Sequence, residues 1–284
     1  MTKTVHLLSV LALAALTITI GITPVVQALP TNQANQIAKD VTNFVVPEHA
    51  VNIAPGIYSL GTTIHDGKEV QGILAFHHRT GHDGGPPGNN GDDDTTNTCF
   101  ASFTKGATWR ATESWILDPT NNAGLTEDFL KSELANNMAT WEDPDSDDIQ
   151  DFDIFGDVTD GVVDGADTIS PDGKNEVYFA DISTSGVIAV TITWYETRGP
   201  PQNRDIVEWD QIYDDADFEW SSAGEAGKMD FANIATHELG HALGLSHPNE
   251  TCTLETMYAF ADDGETIKRD LHDGDIAGVN DMYS

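Results

Sequence analysis

The sequence predicts an α+β domain, and three observations support this prediction. Residues 107–117 alternate apolar and polar side chains, which is the pattern of a strand. Apolar residues then recur at helical spacing from Phe129 to Trp141, after Thr126, which is suited to cap a helix. A further amphipathic helix is predicted to begin at Asp230. Both periodicities in one chain are typical of a sheet packed against helices.

The helix after Asp230 contains a pattern typical of a catalytic metal site. Residues 237–247 read HELGHALGLSH, so His237 and His241 lie on one helical face. The residue after HAL is a glycine, which readily adopts the left-handed conformation that ends a helix. The returning chain then presents His247 as a third ligand. Three protein ligands leave a fourth position open, as in catalytic rather than structural zinc sites.

Glu238 directly follows the first histidine and is the candidate general base. Its carboxylate is expected to reach a water at the open position rather than the metal itself. Met257 lies ten residues beyond His247 and is expected to form an apolar floor beneath the metal. Two other interpretations are a core helix with incidental histidines and a metal site that has lost its activity. The presence of Glu238 argues against the second.

The chain resembles the metzincin metallopeptidases, and most closely the matrixins. Residues 237–247 fit the metzincin pattern HExxHxxGxxH. Residues 205–220 resemble the matrixin segment before the active-site helix, residues 186–195 the edge strand above the cleft, and residues 271–283 the closing helix. The resemblance covers residues 105–284. It implies a twisted, mostly parallel sheet with an antiparallel edge strand, an active-site helix, a C-terminal helix, one catalytic zinc and hydrolysis of peptide bonds.

The resemblance also implies how a substrate binds. An unpaired edge strand over residues 186–195 would be a template to which an extended protein or peptide substrate adds as one more strand. The expected substrate-contacting positions are Val187, Ile188, Ala189 and Val190.

Three features depart from the matrixin pattern. The prodomain switch PRCGxPD is absent, and so is the segment with the histidines of a second zinc, so no second zinc is expected. The proline that usually follows the methionine by two residues is replaced by Ala259. Astacins and serralysins carry a zinc-contacting tyrosine at that position, so no tyrosine ligand is expected here.

The N-terminal third of the chain is predicted to divide into three parts. Residues 1–28 have a basic start, an apolar run and small residues before the end, as in a secretory signal peptide. An uncleaved membrane anchor is the alternative. Residues 29–78 form a small β-rich segment or propeptide, and residues 79–98 form a linker rich in Gly, Pro, Asn and Asp. The peptidase-like domain then covers residues 99–284, and the protein is expected to be secreted, with no other membrane segment.

The β-rich segment contains a predicted hairpin with its turn at Asp66 and Gly67. His77, His78 and His82 follow near its end. They suggest either a second metal site or a solvated strand end. Neighbouring histidines on a strand point to opposite faces, which favours the solvated end.

The chain is strongly acidic, with 13 Lys and Arg against 47 Asp and Glu and a formal net charge of −34. This charge argues against nucleic-acid binding and against attraction to anionic membranes, and it favours a monomer. Matrixin loops in the acidic region hold calcium, which is the second expected cofactor. A solvated acidic face is the equally weighted alternative. The candidate calcium ligands are Asp157, Asp164, Asp167 and Asp172.

The two cysteines are Cys99 and Cys252. An even count in an exported protein favours a disulfide between them. The alternatives are a Cys99 thiolate bound to zinc as a latency switch and two free buried thiols.

Three functional classes therefore remain open. The first is a secreted zinc endopeptidase that uses Glu238 as general base. The second is a non-catalytic, zinc-stabilised extracellular module that binds peptides or mediates adhesion. The third is a calcium-dependent structural domain.

Overall fold

The computed structural model of the chain describes residues 41–81, 99–146 and 152–284. The predicted signal peptide, most of the predicted linker and His82 lie outside these residues. Within the described part of the chain, no helix is long and apolar enough to cross a membrane.

The described residues form a mixed α/β structure. The helices are α1 (Glu127–Glu142), α2 (Phe231–Ala242) and α3 (Asp273–Tyr283), with 3-10 turns at Pro201–Asn203 and Ile267–Arg269. The strands are β1 (Asn43–Phe44), β2 (Val51–Ala54), β3 (Ile57–His65), β4 (Lys68–Arg79), β5 (Ala101–Ser102), β6 (Glu113–Leu117), β7 (Phe155–Val158), β8 (Asn175–Ile182), β9 (Val187–Glu196), β10 (Ile206–Asp214), β11 (Trp220–Ser221), β12 (Met229–Asp230), β13 (Leu245–Ser246) and β14 (Phe260–Ala261).

The main sheet has the strand order β2-β3-β4-β9-β10-β8-β6-β7. Strands β10, β8, β6 and β7 are parallel to one another, and β9 runs antiparallel to β10. This half is compatible with the sheet that the metzincin resemblance implies. Strands β4, β3 and β2 extend it by antiparallel pairing.

Strand β9 is not an edge of this sheet, so the expectation of a free edge at residues 186–195 is wrong. It pairs with β10 on one side and with β4 on the other. All ten of its residues are buried. The physical reason is that the N-terminal hairpin, whose turn lies at Asp66 and Gly67, supplies the strand that satisfies the backbone groups of β9.

Helix α1 begins at the residue that the sequence predicts. The Thr126 hydroxyl accepts a hydrogen bond from the Phe129 backbone N–H at 3.3 Å. The indole of Trp141 donates to the Thr236 carbonyl at 2.8 Å and so docks α1 on α2. The helical stripe predicted from the sequence faces the core, and its fully buried members are Leu130, Leu134, Met138 and Trp141.

Helix α2 is also capped as predicted. The Asp230 carboxylate accepts from the Asn233 N–H at 3.0 Å and from the Arg269 guanidinium at 2.8 and 2.6 Å. Gly244 follows the helix with φ +99°, a conformation that favours glycine. Every residue of α2 is buried, because the helix lies between the sheet and α1.

Cys99 and Cys252 form a disulfide. The bridge joins the start of the C-terminal part of the chain to the segment between His247 and Met257. It therefore fixes the wall next to the three histidines to the body of the domain.

Loss of this bridge is predicted to destabilise the fold. The two cysteines are separated by 153 residues, and loop-closure entropy for such a loop is worth about 5 kcal/mol. We expect the Cys99→Ser, Cys252→Ser double variant to lose roughly 2–5 kcal/mol of unfolding free energy in denaturant titrations. A loss well below this range would show that the bridge has little influence on the unfolded chain.

A buried acidic group lies at strand β10, where carboxyl oxygens of Asp167, Glu208 and Asp210 come within 4.8 Å of one another. Burial, and secondarily the neighbouring Asp210 and Asp167, raise the pKa of Glu208 to about 11. This shift favours the protonated form of Glu208 at neutral pH.

This raised pKa predicts a pH dependence of stability in the absence of calcium. The contribution of Glu208 to the unfolding free energy is greatest at pH values below its unfolded pKa of about 4.3. This contribution is lost as the pH rises from there through the folded pKa of about 11. Glu208→Gln removes the ionisation. We therefore expect the unfolding free energy of the wild type to fall relative to this variant from about pH 5 to 9, measured in EGTA. Glu48→Gln, at an exposed site, is the control. Parallel pH profiles for wild type and Glu208→Gln would contradict the assignment.

Candidate metal centre

The three predicted histidine ligands come together at the C-terminal end of α2. His237 and His241 lie on α2, and His247 returns from the segment after Gly244. Their ligand atoms all lie within 4.8 Å of one another. The Nε2 atoms of His241 and His247 are 3.2 Å apart.

Each of these imidazoles is oriented by a backbone carbonyl at its Nδ1 atom. A carbonyl oxygen only accepts, so Nδ1 must carry the proton and donate it. In the neutral ring, Nε2 is then left with a free lone pair. The acceptors for His237, His241 and His247 are the carbonyls of Thr256, Leu245 and Pro55, at 2.6, 2.8 and 3.1 Å.

The site fits a divalent metal. The Nε2 atom of His237 is buried without a hydrogen-bond partner, and the lone pairs of His241 and His247 face each other. Ligands at about 2.0–2.1 Å from a tetrahedral zinc are separated by roughly 3.3–3.4 Å, close to the 3.2 Å observed between the two nitrogens. Burial lowers the pKa of all three histidines, for His241 to about 4, which favours the neutral form that binds metal.

Glu238 lies beside this group and is fully buried. Its Oε2 atom accepts from the Thr191 hydroxyl at 2.6 Å, whereas Oε1 has no hydrogen-bond partner. Burial raises the pKa of Glu238 to about 8, and the Thr191 hydrogen bond opposes the shift. A carboxyl group with a pKa near neutrality is suited to exchange protons.

Met257 packs against α2, the helix that carries His237 and His241. A Cβ at Gly240 would lie 2.2 Å from the Met257 sulfur, so the methionine requires glycine at that position. The Asp275 carboxylate in α3 accepts from the N–H groups of Thr256 and Met257 at 2.7 and 3.0 Å. Asp275 thus holds the turn whose Thr256 carbonyl orients His237.

His77 lies at the same site, and its prediction as part of a solvated strand end is wrong. Its side chain is completely buried, with the ring stacked on His237 at a centroid distance of 3.7 Å. Its Nδ1 atom is 3.3 Å from Glu238 Oε1, in a geometry that makes no hydrogen bond. His78 follows a register shift in β4 and is partly buried, with its ring centroid 5.7 Å from that of Phe76 and 6.0 Å from that of Phe260.

The four candidate calcium ligands do not form one group. Asp167 joins Glu208 and Asp210 in the buried acidic group, whereas Asp164 and Asp172 contact Lys174. Asp157 is an exposed residue of β7.

The sequence did not predict three contributions to the site, two from β9 and one from the N-terminal segment. Thr191, which bonds Glu238, belongs to β9, and its hydroxyl is conspicuous in the apolar run VIAVTIT. Alternation along β9 places Thr191 and Thr193 on the face towards α2, where Thr193 donates to the His241 carbonyl at 3.0 Å. The Pro55 carbonyl at His247 carries no signal in the sequence, because it depends on a fold contact across 192 residues.

Comparison with known proteins identifies similarity in the C-terminal part of the chain. The family model Peptidase_M10 (Matrixin) matches residues 202–284. Karilysin from Tannerella forsythia is 36% identical over 72 residues, which cover 25% of this chain and 14% of karilysin. Matrilysin from Felis catus is 36% identical over 69 residues, which cover 24% of this chain and 25% of matrilysin.

The matched region thus spans a quarter or less of either relative. Residues 202–284, which the family model matches, contain α2, the three histidines, Glu238 and Met257. The chain is therefore matrixin-like, and the segment that matches this family of metallopeptidases is the one that holds its candidate metal centre.

Proposed function

We propose that this protein is a secreted zinc-dependent metalloendopeptidase. The observation that carries the proposal is the convergence of three imidazoles, each oriented by a carbonyl at Nδ1, beside Glu238, whose Oε1 atom accepts no hydrogen bond. The matrixin-like sequence of the same segment supports it.

Three neutral imidazoles are the donor set of several catalytic zinc sites. A zinc ion held by His237, His241 and His247 would act as a Lewis acid and lower the pKa of a coordinated water towards 7. The carbonyls of Thr256, Leu245 and Pro55 keep the three rings in the tautomer that this requires.

Glu238 would act as the proton-transfer group. Thr191 holds one carboxylate oxygen and leaves Oε1 towards the site, where it can accept a proton from water and later pass it to the leaving amine. A carboxylate that takes up a proton in one step can release it in a later step, so one group can serve as both base and acid. We propose protein or peptide in an extended conformation as the substrate class.

Export is part of the proposal. It rests on the signal-like residues 1–28 and agrees with the disulfide, because disulfides persist in oxidising compartments outside the cytosol. The runner-up function is a zinc-stabilised peptide-binding module without catalysis. The buried, hydrogen-bonded Glu238 favours the enzyme, since a binding module has no use for a carboxyl group at this position.

Removal of one ligand is predicted to abolish metal binding at this centre. We expect one zinc per wild-type chain and less than about a tenth of this in His241→Ala, because loss of one of three ligands removes much of the binding free energy. Metal content of protein dialysed against a weak chelator is the measurement. His49→Ala, at an exposed histidine, is the matched control. Full zinc occupancy in His241→Ala would place the metal elsewhere.

Glu238→Gln is predicted to retain zinc and lose turnover. The amide preserves the shape of the side chain but cannot accept the proton, and loss of general-base catalysis costs roughly 10²–10⁴-fold in rate. Cleavage of a generic protein substrate is measured with and without a zinc chelator, before and after limited proteolysis between residues 79 and 98. Cleavage by Glu238→Gln at the rate of the wild type would refute the role of Glu238 as general base. Zinc without cleavage in every wild-type sample would favour the binding module.

A further inference from the structure

The turn between His247 and Cys252 contains a triplet that is typical of acceptor sites for N-linked glycosylation. Residues 249–251 read Asn-Glu-Thr, which fits the pattern Asn-x-Ser/Thr with a residue other than proline in the middle. Among the asparagines of the whole sequence, Asn249 alone stands two residues before a serine or threonine. The triplet begins two residues beyond His247 and lies outside the metal centre itself.

Both side chains that a glycosyl-transferring enzyme must reach lie at the surface. Asn249 and Thr251 are exposed, whereas Cys252 is buried and bridged to Cys99. The Cys252 backbone N–H donates to the Asn249 carbonyl at 2.8 Å, so the triplet forms one tight turn with the disulfide at its end. A glycan attached to this turn extends into solvent and displaces no core residue.

The hydrogen bonds inside the turn involve the oxygen of the Asn249 amide and not its nitrogen. The Oδ1 atom accepts from the Thr251 backbone N–H and from the Thr251 hydroxyl, both at 3.1 Å. Neither bond uses Nδ2, the atom to which an N-linked sugar is attached. The turn therefore brings the threonine hydroxyl to the amide group while the nitrogen stays accessible.

Asparagine and threonine also form such turns for structural reasons. An asparagine that accepts from the backbone N–H two residues further on makes an Asx turn, and the Thr251 N–H already serves that purpose. The turn itself does not require the additional Thr251 hydroxyl. The hydroxyl, the exposed amide and two signs of export together favour an acceptor site. Those signs are the signal-like residues 1–28 and the disulfide.

We propose that Asn249 is an N-glycosylation site that receives an oligosaccharide during export. The sugar donor is a polyprenyl-phosphate-linked oligosaccharide, which a membrane-bound oligosaccharyltransferase supplies. A bond forms between Nδ2 and the anomeric carbon of the first sugar, while the bond from that carbon to the phosphate oxygen breaks. Nδ2 loses one proton to a base of the transferase, and the polyprenyl phosphate leaves with the electron pair of the broken bond.

Attachment at Asn249 leaves the metal centre intact. The hydrogen bonds that shape the turn stay within residues 249–252, whereas the Nδ1 atom of His247 bonds to the Pro55 carbonyl. The zinc content is therefore independent of the modification. The inference depends on export, which is part of the proposed function, and is independent of peptidase activity.

The experiment determines the mass of the peptide that contains Asn249. The protein is purified from the medium and from the cell fraction of the cells that naturally produce it, reduced, and digested with trypsin. Cleavage after Lys228 and Lys268 releases residues 229–268. We expect this peptide to exceed the mass of its amino-acid sequence by that of an oligosaccharide and to release sugar ions on fragmentation. The same peptide from protein made in the cytosol of a bacterium without an oligosaccharyltransferase is expected to have the unmodified mass.

Variants of the triplet test the assignment without disturbing the core. Asn249→Asp keeps the oxygen that the turn requires but removes the amide nitrogen, and Thr251→Ala removes the hydroxyl. Both are expected to lose the added mass completely, with unchanged zinc content. Thr251→Ser keeps a hydroxyl and is expected to retain the glycan. Asn136→Gln is the matched control, because Asn136 is exposed and does not begin such a triplet.

The outcomes separate this inference from the proposed function. An unmodified peptide 229–268 in both fractions would overturn the inference and leave the triplet as a turn-forming motif, whatever the activity of the protein. Added mass that persists in Asn249→Asp would also overturn it, because the sugar would then be attached to another residue. Glycosylated protein that neither binds zinc nor cleaves a protein substrate would support the inference and refute the peptidase function.

Discussion

The structure around the metal centre depends on one interaction, the hydrogen bond that each ligand histidine donates from Nδ1 to a backbone carbonyl. These bonds fix the tautomer, so that three Nε2 lone pairs converge on one point. Two of those nitrogens lie 3.2 Å apart, close to the separation of two ligands of one tetrahedral zinc ion. Burial lowers the pKa of the same rings and so favours the neutral form that binds metal.

The three carbonyls come from separate parts of the chain, and much of the fold serves to hold them. The Thr256 carbonyl is placed by the turn that Asp275 of α3 stabilises, and the Cys99–Cys252 disulfide fixes the segment before that turn. Leu245 follows the glycine that ends α2. The Pro55 carbonyl belongs to the N-terminal segment, so the segment that covers the centre also orients one of its ligands.

The sequence predicts the locally encoded parts of this structure. Thr126 and Asp230 cap their helices as expected, and Gly244 ends α2, because capping and positive φ depend on neighbouring residues. Pairing across the sheet depends on residues far apart in the chain, and no local pattern shows that β4 adds to β9. For that reason the sequence alone predicts β9 at an edge and His77 in solvent, whereas the structure buries both.

X-ray absorption at the zinc edge of the purified full-length protein tests the proposed metal centre most directly. We expect one zinc with nitrogen and oxygen neighbours at about 2.0–2.1 Å and the scattering signature of three imidazoles. A sulfur neighbour at about 2.3 Å, fewer than three imidazoles or no bound zinc would contradict the proposed centre at His237, His241 and His247.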